Sequence, residues 1–258
     1  MAPFTKDTMT SHEHGVFFNA KGKKTFIPLE INPEIFEEIV HKLGVSPDLG
    51  FFDVYSIDDP DLLAMIPRPV HAIIFIAAAN VYHQVRKHDG SKELTYDASG
   101  EGEPVMWFKQ TIGHACGLMA LLHCISNGST KQYILPDSDL DKLLKKALPL
   151  NPWPRAEVLY NSPEIEKAHM AAAWKGDSTA PMAEEPNGYH FLSFVRSEKD
   201  GHLYEMDASW NGPIDRGELA DGEDMLSEQA LKQGIRRFMS LADDVVEFGI
   251  VALAKKDP

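Results

Sequence analysis

Apolar positions recur along this chain with two distinct periods, and the period sets the element each stretch forms. Ile35, Phe36, Ile39, Val40 and Leu43 fall three and four residues apart, the stripe of an α-helix. Asn32-Pro33-Glu34 ahead of them supplies an N-cap side chain, a proline in the first turn and an early acid, and Gly44 stands where a helix ends. Phe51 to Tyr55 reads as a strand, and Asp61 to Ile66 as a short helix closed by Pro67 and Pro69. Val70 to Ile76 is an apolar run with β-branched residues, which predicts a central strand. Residues 87–104 are polar and read as a loop. Leu118 to Ile125 is an apolar helix, followed by helices over Leu140–Leu148 and Pro163–Trp174, the last capped by Ser162. Residues 175–188 mix prolines, glycines and acids with no apolar period, so a long exposed loop is expected. Tyr189–Val195 and His202–Asp207 flank Asp200-Gly201, a hairpin signal. Leu226–Leu241 reads as a helix and Val245–Ala254 as a last strand. Helices and strands are interspersed and the clearest strand pair is a hairpin, so the predicted class is α+β, with helices packed on a mostly antiparallel sheet.

The length, 258 residues, suffices for one sizeable core, and a split into two small domains is not required. Residues 1–23 are polar, with Gly15, Gly22 and the lysines 21, 23 and 24 nearby, and are expected to be a mobile extension. A net charge of −14 repels phosphate backbones, so no nucleic acid is expected as partner; a basic protein or cationic peptide suits it better. The two cysteines, Cys116 and Cys124, lie eight residues apart on one expected helix, roughly 12 Å along its axis. That is too far for a disulfide and fits a reducing compartment. The longest apolar run, Ala72–Ala79, is too short to span a bilayer. A soluble, cytoplasmic and also nuclear location is therefore expected, with no membrane contact.

The candidate chemistry centres on Cys116, at the start of an apolar helix between Gly113 and Gly117. A helix N-terminus stabilises an anion and lowers a thiol pKa, and small neighbours let a substrate backbone come close. A cysteine in an apolar helix is ordinarily just a core residue, which is the reading for Cys124. Gln110, six residues earlier, offers a neutral donor that could face the same point as the Cys116 backbone N–H, two donors for an oxyanion. His190 and Asp207 stand on the two hairpin strands with opposite parity. An even-length loop therefore puts both on one face, where a carboxylate can hold an imidazole in place. Each residue alone would be unremarkable: one glutamine, one of 11 histidines, one strand-end aspartate.

The segment from Gln110 to Gly117, Gln-Thr-Ile-Gly-His-Ala-Cys-Gly, resembles the active-site motif of the ubiquitin carboxyl-terminal hydrolases, the papain-like cysteine deubiquitinases of peptidase family C12. Tyr189-His190-Phe191 and the stretch from Gly201 to Asp207 are similar to that family's histidine and aspartate segments. Phe26 to Glu34, Phe52 to Tyr55 and Met65 to Val70 match in the same order, so the likeness covers about residues 25–254. It implies a papain-like α+β fold, helices on both sides of the central sheet, as one catalytic domain over residues 24–258. It implies Cys116 as nucleophile, His190 as base, Asp207 as orienter and Gln110 as oxyanion donor. The partner implied is ubiquitin or a ubiquitin-like protein, with a small or unfolded leaving group, a monomeric enzyme and neither cofactor nor metal. Glu30, Glu34, His114 and Tyr189 are the candidate substrate contacts. The family usually carries asparagine where this chain has His114, which could favour the thiolate, crowd the oxyanion site or simply point away. The 175–188 loop matches the family's crossover loop, a size filter over the cleft.

Overall fold

A computed structural model describes residues 16–18, 22–89, 96–176, 188–242 and 247–256. In chain order its elements are β1 (Phe17–Phe18), β2 (Lys24–Thr25), α1 (Pro33–Leu43), β3 (Leu49–Asp53), α2 (Pro60–Leu63), β4 (Val70–Ala78), α3 (Ala79–Asp89), α4 (Cys116–Ile125), α5 (Asp139–Ala147), α6 (Pro152–Tyr160), α7 (Pro163–Ala173), β5 (Tyr189–Arg196), β6 (His202–Met206), β7 (Ile214–Glu218), α8 (Glu228–Gln233), α9 (Ile235–Met239) and β8 (Phe248–Lys255). Six strands form one sheet in the order β3-β8-β4-β5-β6-β7, with every neighbouring pair antiparallel. The apolar run predicted to be central is β4, held between β8 and β5 and buried on both faces.

The two faces of the sheet carry two separate cores. One packs α1, α4 and α7 with the segment 26–29 against Ala72, Ile74, Phe191 and Val195. The other packs α3, α8 and α9 against Ile73, Phe75, Leu192 and Phe194. The alternation along β4 and β5 decides which core each side chain joins. Helices thus lie on both sides of the sheet, as expected. α1 begins and ends where its sequence says: Asn32 Oδ1 accepts from Glu34 N, Pro33 opens the first turn, and Gly44 closes the helix in the left-handed region at φ 93°.

Several features depart from the sequence reading. Val16 is buried and β1 pairs with β2, so the boundary placed at residue 23 falls inside a hairpin that packs on the fold. Thr25 of that hairpin bridges to Gly113. α3, α6 and β7 were not expected, and the start of the supposed 87–104 loop is the last turn of α3. The helix expected over 226–241 is broken at Gly234 into α8 and α9; a Cβ there would lie 3.1 Å from the Phe194 ring, so the break lets the backbone approach the sheet. Of the 175–188 loop, only Lys175, Gly176 and Gly188 are among the described residues. Among the described residues no helix is long and apolar enough to cross a membrane.

Candidate active site

Cys116 is the first residue of α4, a helix buried along its whole length, and is itself 7 % exposed. The expected lowering of its thiol pKa does not hold at rest. Burial pushes the thiol up and outweighs the N–H groups of Phe191, Gly117 and Cys116 itself, which pull it down. The two glycines flanking Cys116 are each closely packed. A Cβ on Gly113 would lie 2.6 Å from Thr25 Oγ1, and one on Gly117 would lie 3.3 Å from Leu29 Cβ. Between them, His114 has φ 54°, in the left-handed region. Asparagine, aspartate and histidine tolerate that region best among side chains, so a backbone requirement accounts for either His or Asn at this position.

The hairpin register brings His190 and Asp207 together. Opposed residues run from Ser193↔Met206 to Arg196↔Leu203, and one further step sets Asp207 opposite Leu192, on the same face as His190. The two are diagonal neighbours, within reach for side chains of this size. His190 Nε2 lies 2.9 Å from Asp207 Oδ1. An ionised carboxylate can only accept, so Nε2 carries the proton and Nδ1 is left as the basic nitrogen. Asp207 is fully buried yet ionised. Burial opposes its charge, but the bond to His190, the charges of His190 and Arg86 and the Tyr82 hydroxyl together hold its carboxyl far below the usual range.

Gln110 is tied to the Asp207 loop through its backbone N–H, which donates to Ala208 O at 2.9 Å. Its neighbours are tied there too: Trp107 Nε1 donates to Asp207 O at 3.1 Å and Lys109 Nζ to Trp210 O at 2.6 Å. One Gln110 amide hydrogen goes to Ile112 O at 3.0 Å, and a carboxamide nitrogen has a second to give.

A single pocket of about 440 Å³ gathers Cys116, His190, Gln110, His114 and Tyr189, with Tyr82 and Trp210 also in its wall. Cys116 reaches it from one face of the sheet and His190 from the other, meeting at the end of β5. Tyr189 is 41 % exposed and donates to Glu247 Oε2 at 2.7 Å. Glu30 lies beside Gly176, where the loop begins. Glu34 is not brought to this pocket; it lines a separate groove with Tyr55 and Met65, because α1 starts over β3, at the far edge of the sheet. Tyr82 and Arg86, both against Asp207, escaped the sequence reading; their four-residue spacing on the stretch Ala79–Asp89 was the available signal. Among the described residues no cluster of three or more metal-ligating side chains is placed to hold an ion.

A buried cysteine at a helix start, sharing one pocket with a strand-borne histidine held by an ionised aspartate, is the arrangement of a cysteine-nucleophile hydrolase. Residues 26–240 match the model of the family described as ubiquitin carboxyl-terminal hydrolase, family 1. A probable ubiquitin carboxyl-terminal hydrolase of Dictyostelium discoideum is 32 % identical over 234 residues, 91 % of this chain and 89 % of that protein. Ubiquitin carboxyl-terminal hydrolase 3 of Arabidopsis thaliana is 32 % identical over 238 residues, 92 % and 97 % of the two chains. A crystal structure of the Trichinella spiralis UCH37 catalytic domain bound to ubiquitin vinyl methyl ester shares the fold at a TM-score of 0.66 and 22 % identity, covering 90 % of this chain and 96 % of that one. The chain belongs to the ubiquitin carboxyl-terminal hydrolases, a family of cysteine peptidases.

Proposed function

We propose that the chain hydrolyses ester, thioester, amide and peptide bonds at the C-terminal glycine of ubiquitin or a ubiquitin-like protein, through an acyl-enzyme on Cys116. The observation that carries this reading is the shared pocket of Cys116, Gln110 and an Asp207-held His190. In this scheme the Cys116 proton passes to His190 Nδ1 as Sγ attacks the glycine carbonyl carbon. Because burial raises the thiol pKa, the proton leaves only when a base stands beside it. The oxyanion is taken by the spare Gln110 N–H and by the Cys116 N–H, one of the donors that the first turn of a helix leaves unpaired. His190 then gives its proton to the leaving nitrogen, oxygen or sulfur, and water, deprotonated by the same ring, frees the product acid.

The small pocket suits small or unfolded leaving groups, and a reducing cytoplasm suits a free thiol nucleophile acting in a monomer. The solved relative's complex with ubiquitin vinyl methyl ester supports ubiquitin as the partner. The test is labelling by ubiquitin bearing a C-terminal electrophile, together with turnover of a ubiquitin C-terminal fluorogenic amide. Wild type and Cys124→Ala should label and turn over; Cys116→Ala should do neither while still binding ubiquitin. Near-normal turnover by Cys116→Ala would overturn the reading.

A further inference from the structure

The Asp207 carboxylate has two oxygens with separate duties. Oδ1 accepts from His190 Nε2 at 2.9 Å and from Ser209 N at 2.9 Å. Oδ2 accepts from the Tyr82 hydroxyl at 2.7 Å and faces Arg86 Nη2 at 3.4 Å. Tyr82 also touches the base itself: its ring centroid lies 4.2 Å from that of His190, at an interplanar angle of 45°. One side chain thus grips both members of the His–Asp pair, by its hydroxyl at the carboxylate and by its ring at the imidazole.

We infer that Tyr82 is a positioning residue for the proposed reaction, holding Asp207 by its hydroxyl and backing the His190 ring so that Nδ1 stays aimed into the pocket. This rests on the cysteine-hydrolase reading above. Anchoring α3 does not account for the hydroxyl, because Val81 and Val85 already bury the helix in its core. Nor is Tyr82 needed to neutralise Asp207. Arg86 stands between Glu205 and Asp207, Arg216 spans Glu205 and Asp89, and Arg237 pairs with Asp89, so three guanidinium groups balance the three carboxylates of the network. What the hydroxyl adds is direction. A carboxylate held at Oδ2 by a single long contact could swing about its Cβ–Cγ bond and carry the imidazole with it. The bond at 2.7 Å to a phenol mounted on a packed helix removes that freedom.

The test is the variant Tyr82→Phe, which keeps the ring and its contact with His190 and removes only the hydroxyl. With a ubiquitin C-terminal fluorogenic amide, kcat should fall about tenfold with KM nearly unchanged, the size expected when one hydrogen bond to a charged group is lost from the transition state. Made in an Asp207→Asn background, the same change should alter kcat less than twofold, since the carboxylate it positions is gone. Tyr82→Leu, which also removes the ring, should fall further than Tyr82→Phe. Comparing urea midpoints separates activity from folding. A Tyr82→Phe enzyme with wild-type kcat overturns the inference, and so does an equal loss in both backgrounds, which would mark a general structural effect. Either result beside a strongly impaired Asp207→Asn protein sinks the role of Tyr82 alone; an unimpaired Asp207→Asn protein would refute Nδ1 as the working base, and near-normal turnover by Cys116→Ala would sink the hydrolase reading beneath both.

Discussion

Replacing Asp207 by asparagine tests the centre of the proposed mechanism, and the expected size follows from the contacts. All the groups aimed at the two Asp207 oxygens are donors: His190 and Ser209 at Oδ1, Tyr82 and Arg86 at Oδ2. An asparagine presents one carbonyl oxygen and one NH₂, so one of the two positions must put a donor against donors. The permanent Arg86 charge draws the carbonyl oxygen to its side. The NH₂ then faces the Ser209 N–H, a donor left without its acceptor, and His190 Nε2, which can meet it only as an acceptor. The ring is driven to the tautomer protonated at Nδ1, the nitrogen meant to take the Cys116 proton. The same inversion in a serine triad lowers kcat by about 10⁴. We therefore expect kcat/KM to fall by about 10³ to 10⁴, or roughly 4 to 5.5 kcal/mol of transition-state stabilisation. Stability should fall by only about 1–3 kcal/mol, because Arg86 keeps Glu205 as its main partner. The assay is kcat/KM on a ubiquitin C-terminal fluorogenic amide, with urea unfolding of the same preparations. An Asp207→Asn enzyme within fivefold of wild type would refute the assignment of Nδ1 as the working base.

Three further outcomes are expected. His114→Asn should keep the fold's stability, whereas His114→Val, a β-branched residue at φ 54°, should lower it by about 1–2 kcal/mol in urea unfolding; equal stability of the two would contradict the backbone account. Arg155 is fully buried with Glu103 paired to its guanidinium, so Glu103→Ala should destabilise the protein by about 3–5 kcal/mol, and a loss under 1 kcal/mol would show that the Trp107 and Ala147 carbonyls suffice. The folded Asp207 carboxyl titrates below its unfolded value near 4, so its contribution is complete above that value and fades as pH falls through the lower folded one. Unfolding free energy measured from pH 5 downward should therefore decline less steeply in Asp207→Asn than in wild type, and parallel acid limbs would show that other carboxyls carry the decline.

Much of the frame was written in local pattern. The stripe from Ile35 to Leu43 with its Asn32 cap, the apolar run that became β4 and the Asp200-Gly201 turn are set by contacts within a few residues, and such contacts are visible in order along the chain. Parity placed His190 and Asp207 on one face for any even-length hairpin loop, because a strand repeats every two residues, and the register that met this condition came from the fold. The sequence could not show that α3 would deliver Tyr82 and Arg86 to Asp207, more than a hundred residues away. Nor could it show that Gly113 is small to admit Thr25, or that Glu34 lies in another groove from Cys116. The thiol pKa made the difference plainest: the helix start is local and favours the thiolate, but burial among segments distant in sequence, such as those of Leu29 and Phe191 beside the helix start, is not, and it prevails. Periodicity and capping act through neighbours in sequence, and the chain spells them out. Desolvation, register across the sheet and close approach sum over groups that only folding brings together, so the tertiary structure alone decided them.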